Sequence, residues 1–86
     1  MTNVKWLEDA WNNYCELQSK DKILLKRINI LIKDIQRNPY DGIGKPEHLK
    51  SMNAWSRRID EKNRLVYSVE NDCIVIKDCI NHYNDK

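Results

Sequence analysis

The chain has 86 residues, of which 41% are hydrophobic and 33% are charged, with only two glycines and two prolines. This composition excludes a collagen-like chain, a low-complexity disordered chain and a disulfide-rich scaffold. The length predicts a single domain over residues 1–86 with one modest core. The mean hydropathy is −0.79. There is neither a signal-peptide pattern nor an apolar run near the roughly 20 residues of a membrane span. We therefore expect a cytoplasmic protein without membrane association.

The formal net charge of +2 hides an uneven distribution of charged side chains. Residues 20–64 contain twelve basic and six acidic side chains, whereas the two flanking segments are acidic. A basic middle predicts a positive face and a polyanionic partner. A helix with a solvated Lys/Arg side gives the same counts, so charge alone leaves both interpretations open.

The three cysteines, Cys15, Cys73 and Cys79, form no C-x-x-C pair. Cys73 and Cys79 lie on one predicted strand, about 20 Å apart at ~3.3 Å per residue, which is too far for a disulfide. Two isolated histidines add no metal-binding spacing. We predict reduced, mostly buried thiols, no bound metal and no cofactor.

Two helices are predicted from apolar side chains that recur every three or four residues. A short strand at Val4–Trp6 precedes the first stripe, which consists of Trp6, Ala10, Trp11, Tyr14 and Leu17. Either Ser19 or Asp21 can cap the second helix. The stripe of that helix consists of Leu24, Ile28, Leu31 and Ile35. Pro39 ends the second helix, and the short link between the two predicts an antiparallel hairpin.

After the helices the period changes to two, which is typical of β-strands. The predicted strands are His48–Lys50, Trp55–Asp60, Arg64–Val69 and Cys73–Tyr83. The short links between the longer strands make them antiparallel. We predict an α+β fold in which the N-terminal helical hairpin packs on one face of an antiparallel β-sheet, with the other face left open.

Alternation along the strands permits Arg58, Arg64 and either His82 or Tyr83 to meet on the open face. Parity does not decide which side of each strand faces the helices. On the third strand, Trp55, Arg57 and Ile59 share one side, opposite Ser56, Arg58 and Asp60.

Taken singly, each candidate residue also has a structural interpretation. Glu47 fits a solvated loop carboxylate, and His82 fits an exposed or capped imidazole. Tyr83 fits a core-edge aromatic side chain, as Trp55 does. Arg58 and Arg64 fit salt-bridge formers, with Asp60 or Glu61 as the nearest acids in sequence.

Four blocks of sequence are informative in combination. They are Gly42–Lys50 (GIGKPEHLK), Trp55–Ile59 (WSRRI), Asn63–Tyr67 (NRLVY), and Cys79 with His82–Tyr83. In this order they closely resemble the YoeB/Txe toxins of the RelE superfamily of toxin–antitoxin modules. The resemblance extends through essentially the whole chain. Two departures are a link from Lys50 to Trp55 that is shorter than in that family, and residues 84–86 after Tyr83.

The resemblance implies a RelE-like fold and a ribosome-dependent mRNA endonuclease that inhibits translation. It places the acid–base pair on Glu47 and His82, with Arg64 and Tyr83 completing the catalytic set. The phosphate- and RNA-binding residues that it implies are Lys50, Arg58, Lys45 and Arg57. The implied partners are a cognate antitoxin, the ribosome and mRNA, and homodimers also occur in that family.

The chemistry of RNA cleavage requires the same residue types. RNA carries its own nucleophile, the 2′-hydroxyl, so neither a covalent enzyme intermediate nor a metal is required. A base removes the 2′ proton, cations stabilise the phosphorane, and an acid protonates the leaving 5′ oxygen. Glu47 near Lys50 suits the base, Arg58 and Arg64 offer fork-shaped donors, and His82 suits the acid.

Two other functions are consistent with the same fold. One is inhibition of DNA gyrase, as in the ParE branch of the superfamily, which would have no use for an acid–base pair. The other is a catalytically silent RNA- or partner-binding module, which predicts salt-sensitive ribosome binding without strand scission.

Overall fold

The computed structural model describes residues 2–79. In that range the elements, in chain order, are β1 (Asn3–Trp6), α1 (Glu8–Lys20), α2 (Lys22–Arg37), β2 (Glu47–Leu49), β3 (Ala54–Arg58), β4 (Arg64–Glu70) and β5 (Cys73–Asp78). A single 3-10 turn, Lys50–Met52, follows β2. No helix among these residues is both long and apolar enough to span a bilayer.

The two helices form the predicted hairpin, and Asp21 separates them. Its backbone N–H donates to the Leu17 carbonyl at 3.0 Å, and its carboxylate accepts from the Leu24 N–H at 3.0 Å. Asp21, rather than Ser19, is therefore the N-cap of α2. The stripe of α2 and, from α1, Ala10 and Leu17 are buried against the sheet, together with Ile59, Leu65, Tyr67, Ile74, Ile76 and Cys79. Trp6 and Tyr14 are only partly buried, and Trp11 of the predicted first stripe is exposed.

The five strands form one sheet in the order β1-β5-β4-β3-β2. Strands β2 to β5 are antiparallel to their neighbours, as predicted. The predicted short first strand is also present, but it pairs with β5 in parallel, so the complete sheet is mixed. The chain leaves β1, passes through both helices and only then enters β2, so no tight turn joins β1 to its neighbour in the sheet. A long connection of this kind allows β1 and β5 to run in the same direction.

Two strands end more than one residue before their predicted ends. The strand predicted to reach Asp60 ends at Arg58, because the Asp60 carboxylate accepts from the backbone N–H groups of Lys62 and Asn63 and forms a turn instead. The last strand was predicted from Cys73 to Tyr83. β5 runs from Cys73 to Asp78, and residues 80–83 lie outside the described part of the chain.

The sheet face opposite the helices is not open at its centre, which corrects the sequence-based expectation. The side chains on it are small or β-branched and are buried: Ala54, Ser56, Val66, Ser68 and Val75. Part of this cover is the side chain of Arg64, which reaches across to Ser56. Residues that interact with a partner on this face must therefore lie at its edges.

Candidate active site

The register of β2, β3 and β4 brings a carboxylate and a guanidinium together on the face opposite the helices. Glu47 on β2 lies opposite Ser56 on β3, and Ser56 lies opposite Val66 on β4. Arg64 is two residues before Val66, so its side chain is on the same face. The Arg64 Nη2 donates to Glu47 Oε1 at 3.3 Å, and the Arg64 Nε donates to Ser56 Oγ at 3.0 Å.

The two charged groups of this pair differ in exposure. The side chain of Glu47 is 63% exposed, whereas that of Arg64 is only 19% exposed. An ion pair with one partner in solvent contributes little to stability, about 0–1 kcal/mol. Glu47 is therefore accessible to a ligand, and Arg64 presents its polar end from a partly buried and restrained position.

Three of the other predicted cations lie near this pair along the strands or in sequence. Arg58 lies directly opposite Arg64 across the β3–β4 ladder, and its side chain is exposed. Lys50 begins the 3-10 turn that follows β2, and Lys45 lies two residues before Glu47; both are exposed. The sequence-based salt-bridge interpretation of Arg64 is confirmed, but its partner is Glu47 and not Asp60 or Glu61.

Arg57 does not belong to this surface, and the predicted RNA contact is wrong for this residue. Its side chain is completely buried on the helix side of the sheet. The guanidinium donates to Asp34 at 2.5 Å and to the hydroxyl of Tyr67 at 3.2 Å. It also donates to three backbone carbonyls of the loop after α2, those of Asn38, Asp41 and Ile43. A buried arginine with this many partners has no donor to offer a phosphate.

The Arg57 contacts fix the loop that leads into β2. Tyr67 donates its hydroxyl to the Pro39 carbonyl at 2.5 Å, which adds a further anchor to the same loop. Gly42 and Gly44 allow the loop to pass close to α2 and β3. Both have positive φ, 142° and 81°. A Cβ on Gly42 would collide with the Asp34 carboxylate. The two glycines therefore allow the loop to pack closely against its neighbours, and this packing fixes where β2 begins at Glu47.

Two ionisable groups here have shifted pKa values. Hydrogen bonds from Arg37 and Arg57 lower the pKa of Asp34 from its ordinary 3.8 to about 2. Burial raises the pKa of Tyr67. Both pKa shifts favour the form that makes these hydrogen bonds near neutral pH, which is ionised Asp34 and neutral Tyr67.

His82 and Tyr83, the remaining two residues of the predicted catalytic set, lie outside the described residues. Within residues 2–79 the structure thus brings together Glu47, Arg64 and Arg58, with Lys45 and Lys50 nearby in sequence. No group of three or more potential metal-binding side chains is present in that range.

Comparison with known proteins identifies the family. Residues 6–83 match the model of the YoeB-like toxins of bacterial type II toxin–antitoxin systems. The chain belongs to the YoeB toxin family. The toxin YoeB of Escherichia coli (strain K12) is 49% identical over 80 residues, which cover 91% of this chain and 95% of the relative.

Solved structures of YoeB proteins also have this fold. A YoeB–YefM complex from Staphylococcus aureus contains a chain that is 42% identical, with a TM-score of 0.87 and coverage of 96% of this chain and 99% of that one. A YoeB dimer from the same organism is 44% identical, with a TM-score of 0.87 and coverage of 95% and 98%. The α+β fold predicted from the sequence is therefore confirmed.

Sequence reasoning did not single out three residues that organise this YoeB-family site: Asp34, Tyr67 and Ser56. For Arg57 a signal was available, because it shares its side of β3 with the apolar Trp55 and Ile59. That side faces the helices, so the parity of β3 separates the buried Arg57 from the exposed Arg58 once the core side is known. Asp34 carried no such signal, since an acid within a charged helix usually faces solvent.

Proposed function

We propose that this YoeB-family toxin is an endoribonuclease that cleaves mRNA on the ribosome and thereby inhibits translation. The observation that supports this best is the contact between the exposed carboxylate of Glu47 and the restrained guanidinium of Arg64. A base and a phosphate-binding cation are needed at one point for cleavage by the 2′-hydroxyl. A gyrase inhibitor would not need a base and a phosphate-binding cation in contact, as Glu47 and Arg64 are.

In the proposed reaction the 2′ oxygen of the RNA attacks the adjacent phosphorus while Glu47 accepts its proton. The bond from phosphorus to the 5′ oxygen breaks, and His82 donates a proton to that oxygen. The products are a 2′,3′-cyclic phosphate and a 5′-hydroxyl. Each of the two proton transfers typically contributes about 10²–10⁴-fold to the rate. The role of His82 comes from the family resemblance.

Arg64 and Arg58 stabilise the negative charge that develops on the non-bridging oxygens. Arg64 has five N–H donors; among the described residues, Ser56 and Glu47 each accept one of them. The other three have no acceptor within residues 2–79, and we assign them to the phosphate. When a phosphate takes the Nη2 donor as well, Glu47 is released from the ion pair and can accept the 2′ proton. Tyr83 stacks on a base, which is worth about 1–3 kcal/mol.

The ribosome supplies substrate positioning in this proposal. The described part of the site is a shallow surface at the edge of a small sheet, and such a surface holds single-stranded RNA weakly. Holding the mRNA in a defined path converts a bimolecular encounter into an oriented, near-unimolecular reaction.

The first experiment tests the activity itself. Purified protein is incubated with ribosomes programmed with a defined mRNA, and cleavage sites are mapped by primer extension. We expect cleavage, and a rate at least ~10²-fold lower for Glu47→Gln and for His82→Gln. Glu61→Gln, which changes an exposed acid in the turn before β4, is the matched control and retains the rate.

Two results would overturn the proposed activity, and a third would overturn the role of Glu47. If the unmodified protein leaves the mRNA intact and instead blocks DNA supercoiling by gyrase, the gyrase alternative holds. If the protein binds ribosomes in a salt-sensitive manner without cutting, the silent binding module holds. If Glu47→Gln cleaves as fast as Glu61→Gln, the roles are misassigned.

We further propose that a cognate antitoxin binds this chain over the same surface, and that the chain can also form a homodimer. Acidic side chains of the antitoxin would neutralise Arg58 and Arg64 or displace Tyr83. Arg58→Glu then weakens the complex and reduces its salt dependence, whereas Lys26→Glu, an exposed charge reversal on α2, does not. An antitoxin complex with no contact near Arg64 or Tyr83 would contradict this proposal.

A further inference from the structure

Ser56 is a buried hydroxyl in the centre of the candidate active site. Its side chain is completely buried, and it lies on β3 between the strands that carry Glu47 and Arg64. Its Oγ accepts a hydrogen bond from Arg64 Nε at 3.0 Å. A residue this deeply buried cannot touch RNA, so any influence on cleavage must pass through Arg64.

The hydrogen bond to Nε has a geometric consequence for the whole guanidinium. That group is planar and rigid, so fixing its Nε edge also fixes the directions of both terminal nitrogens. One of them, Nη2, then points to Glu47 Oε1 at 3.3 Å. Without an acceptor at position 56, the Nε donor loses its partner and the guanidinium can turn toward the carboxylate to form a two-point ion pair. Such a pair would occupy the base and the phosphate-binding cation together.

We propose that Ser56 is a positioning residue for the Arg64 guanidinium: it leaves one edge for the phosphate and limits Glu47 to a single contact. This inference rests on the proposed nuclease function. The expected effect of losing the hydroxyl falls on the chemical step rather than on ribosome binding, because small displacements of an aligned group cost up to about 10²-fold in rate. Ser56→Ala should therefore lower kcat by roughly 10–100-fold with KM changed less than about 3-fold.

Cleavage kinetics on programmed ribosomes provide the first test. Ser68→Ala is the matched control, since Ser68 is a buried serine on the same sheet face whose hydroxyl donates to Glu70 at 2.7 Å and not to the site. The Ser56→Ala change is also made in an Arg64→Lys background. If Ser56 acts through the guanidinium, Ser56→Ala lowers kcat in the unmodified protein and has no further effect on kcat in the Arg64→Lys background. An equal loss in both backgrounds, or no loss in the first, overturns the proposal.

A second measurement does not depend on cleavage. The ¹⁵N-labelled Arg64 Nε–H signal, assigned by its disappearance in Arg64→Lys, should shift and exchange faster with solvent in Ser56→Ala and remain unchanged in Ser68→Ala. An unchanged signal in Ser56→Ala overturns the positioning role, whatever the activity. If instead the NMR result is as expected and the unmodified protein cuts no mRNA, the nuclease proposal fails while the Ser56–Arg64 contact stands.

Discussion

Replacing Arg57 by lysine should destabilise this protein far more than the same change at Arg58. The two residues are neighbours on β3, but Arg57 is completely buried and Arg58 is exposed on the opposite face. Arg57→Lys keeps the positive charge opposite Asp34 but replaces a planar group of five donors by an ammonium with three. The substitution thus tests the hydrogen-bonding geometry separately from the charge.

The magnitude follows from the acceptors that lose a partner. Arg57 donates to Asp34, to the Tyr67 hydroxyl and to three loop carbonyls. A lysine ammonium can satisfy at most three of these five, and each buried group left unsatisfied costs about 1–3 kcal/mol. Two unsatisfied groups would cost about 2–6 kcal/mol, and we expect the lower part of that range, about 2–4 kcal/mol, because Asp41 and Ile43 are exposed residues whose carbonyls water can reach. A domain of this length typically has about 4–13 kcal/mol of folding stability, so the loss is a large part of the total.

Urea denaturation followed by tryptophan fluorescence measures this loss. With an m-value of about 1 kcal/mol/M, typical for a small domain, the midpoint of Arg57→Lys should fall by about 2–4 M. Arg58→Lys should stay within about 0.5 kcal/mol of the unmodified protein, as expected for an exposed position. If the two variants unfold within about 0.5 kcal/mol of each other, the Arg57 hydrogen bonds do not stabilise the loop as described above.

Three further predictions concern Asp34, Gly44 and the cysteines. Because the pKa of Asp34 is lowered to about 2 in the folded state, its contribution to stability is present above pH 3.8 and is lost as the pH falls through about 2. In urea titrations at pH 6, 4 and 2, the deficit of Asp34→Asn should therefore shrink toward acid, and a constant deficit would contradict the pKa argument. Gly44→Ala forces a residue with φ of 81° to carry a Cβ 2.9 Å from a Leu31 methyl. It should lower the free energy of unfolding by about 1–3 kcal/mol, seen as a lower Tm. Burial raises the pKa of the Cys79 thiol to about 12. Iodoacetamide at pH 8 should therefore label the half-buried Cys15 before Cys79 in the native protein, as mass spectrometry can determine; equal labelling rates would refute this prediction.

Much of the fold could be predicted from the sequence because it depends on local patterns. The stripes of Leu24, Ile28, Leu31 and Ile35 specify a helix face, and alternation specifies strands, without knowledge of partners. The parallel pairing of β1 with β5 could not be predicted in this way, since it joins residues about seventy positions apart.

The site was predictable in composition but not in arrangement. Sequence blocks identified Glu47, Arg58 and Arg64, and the register of β2, β3 and β4 then places Glu47 beside Arg64. The different roles of Arg57 and Arg58 depend on which side of β3 meets the helices, and parity alone leaves that undecided. The contacts of Ser56 and Asp34 depend on side-chain packing, which no spacing rule specifies.

The pairing of the first strand with the last has a consequence for biosynthesis. β1 is made before the other described strands, and its partner among them, Cys73–Asp78, is translated last. Closure of such a distant contact carries a large loop entropy and slows folding. During that interval the edges of β1 and β4 that later pair with β5 leave their backbone N–H and C=O groups unpaired, and unpaired strand edges favour aggregation. The sheet therefore becomes complete only after β5, its last described strand in chain order, has been made.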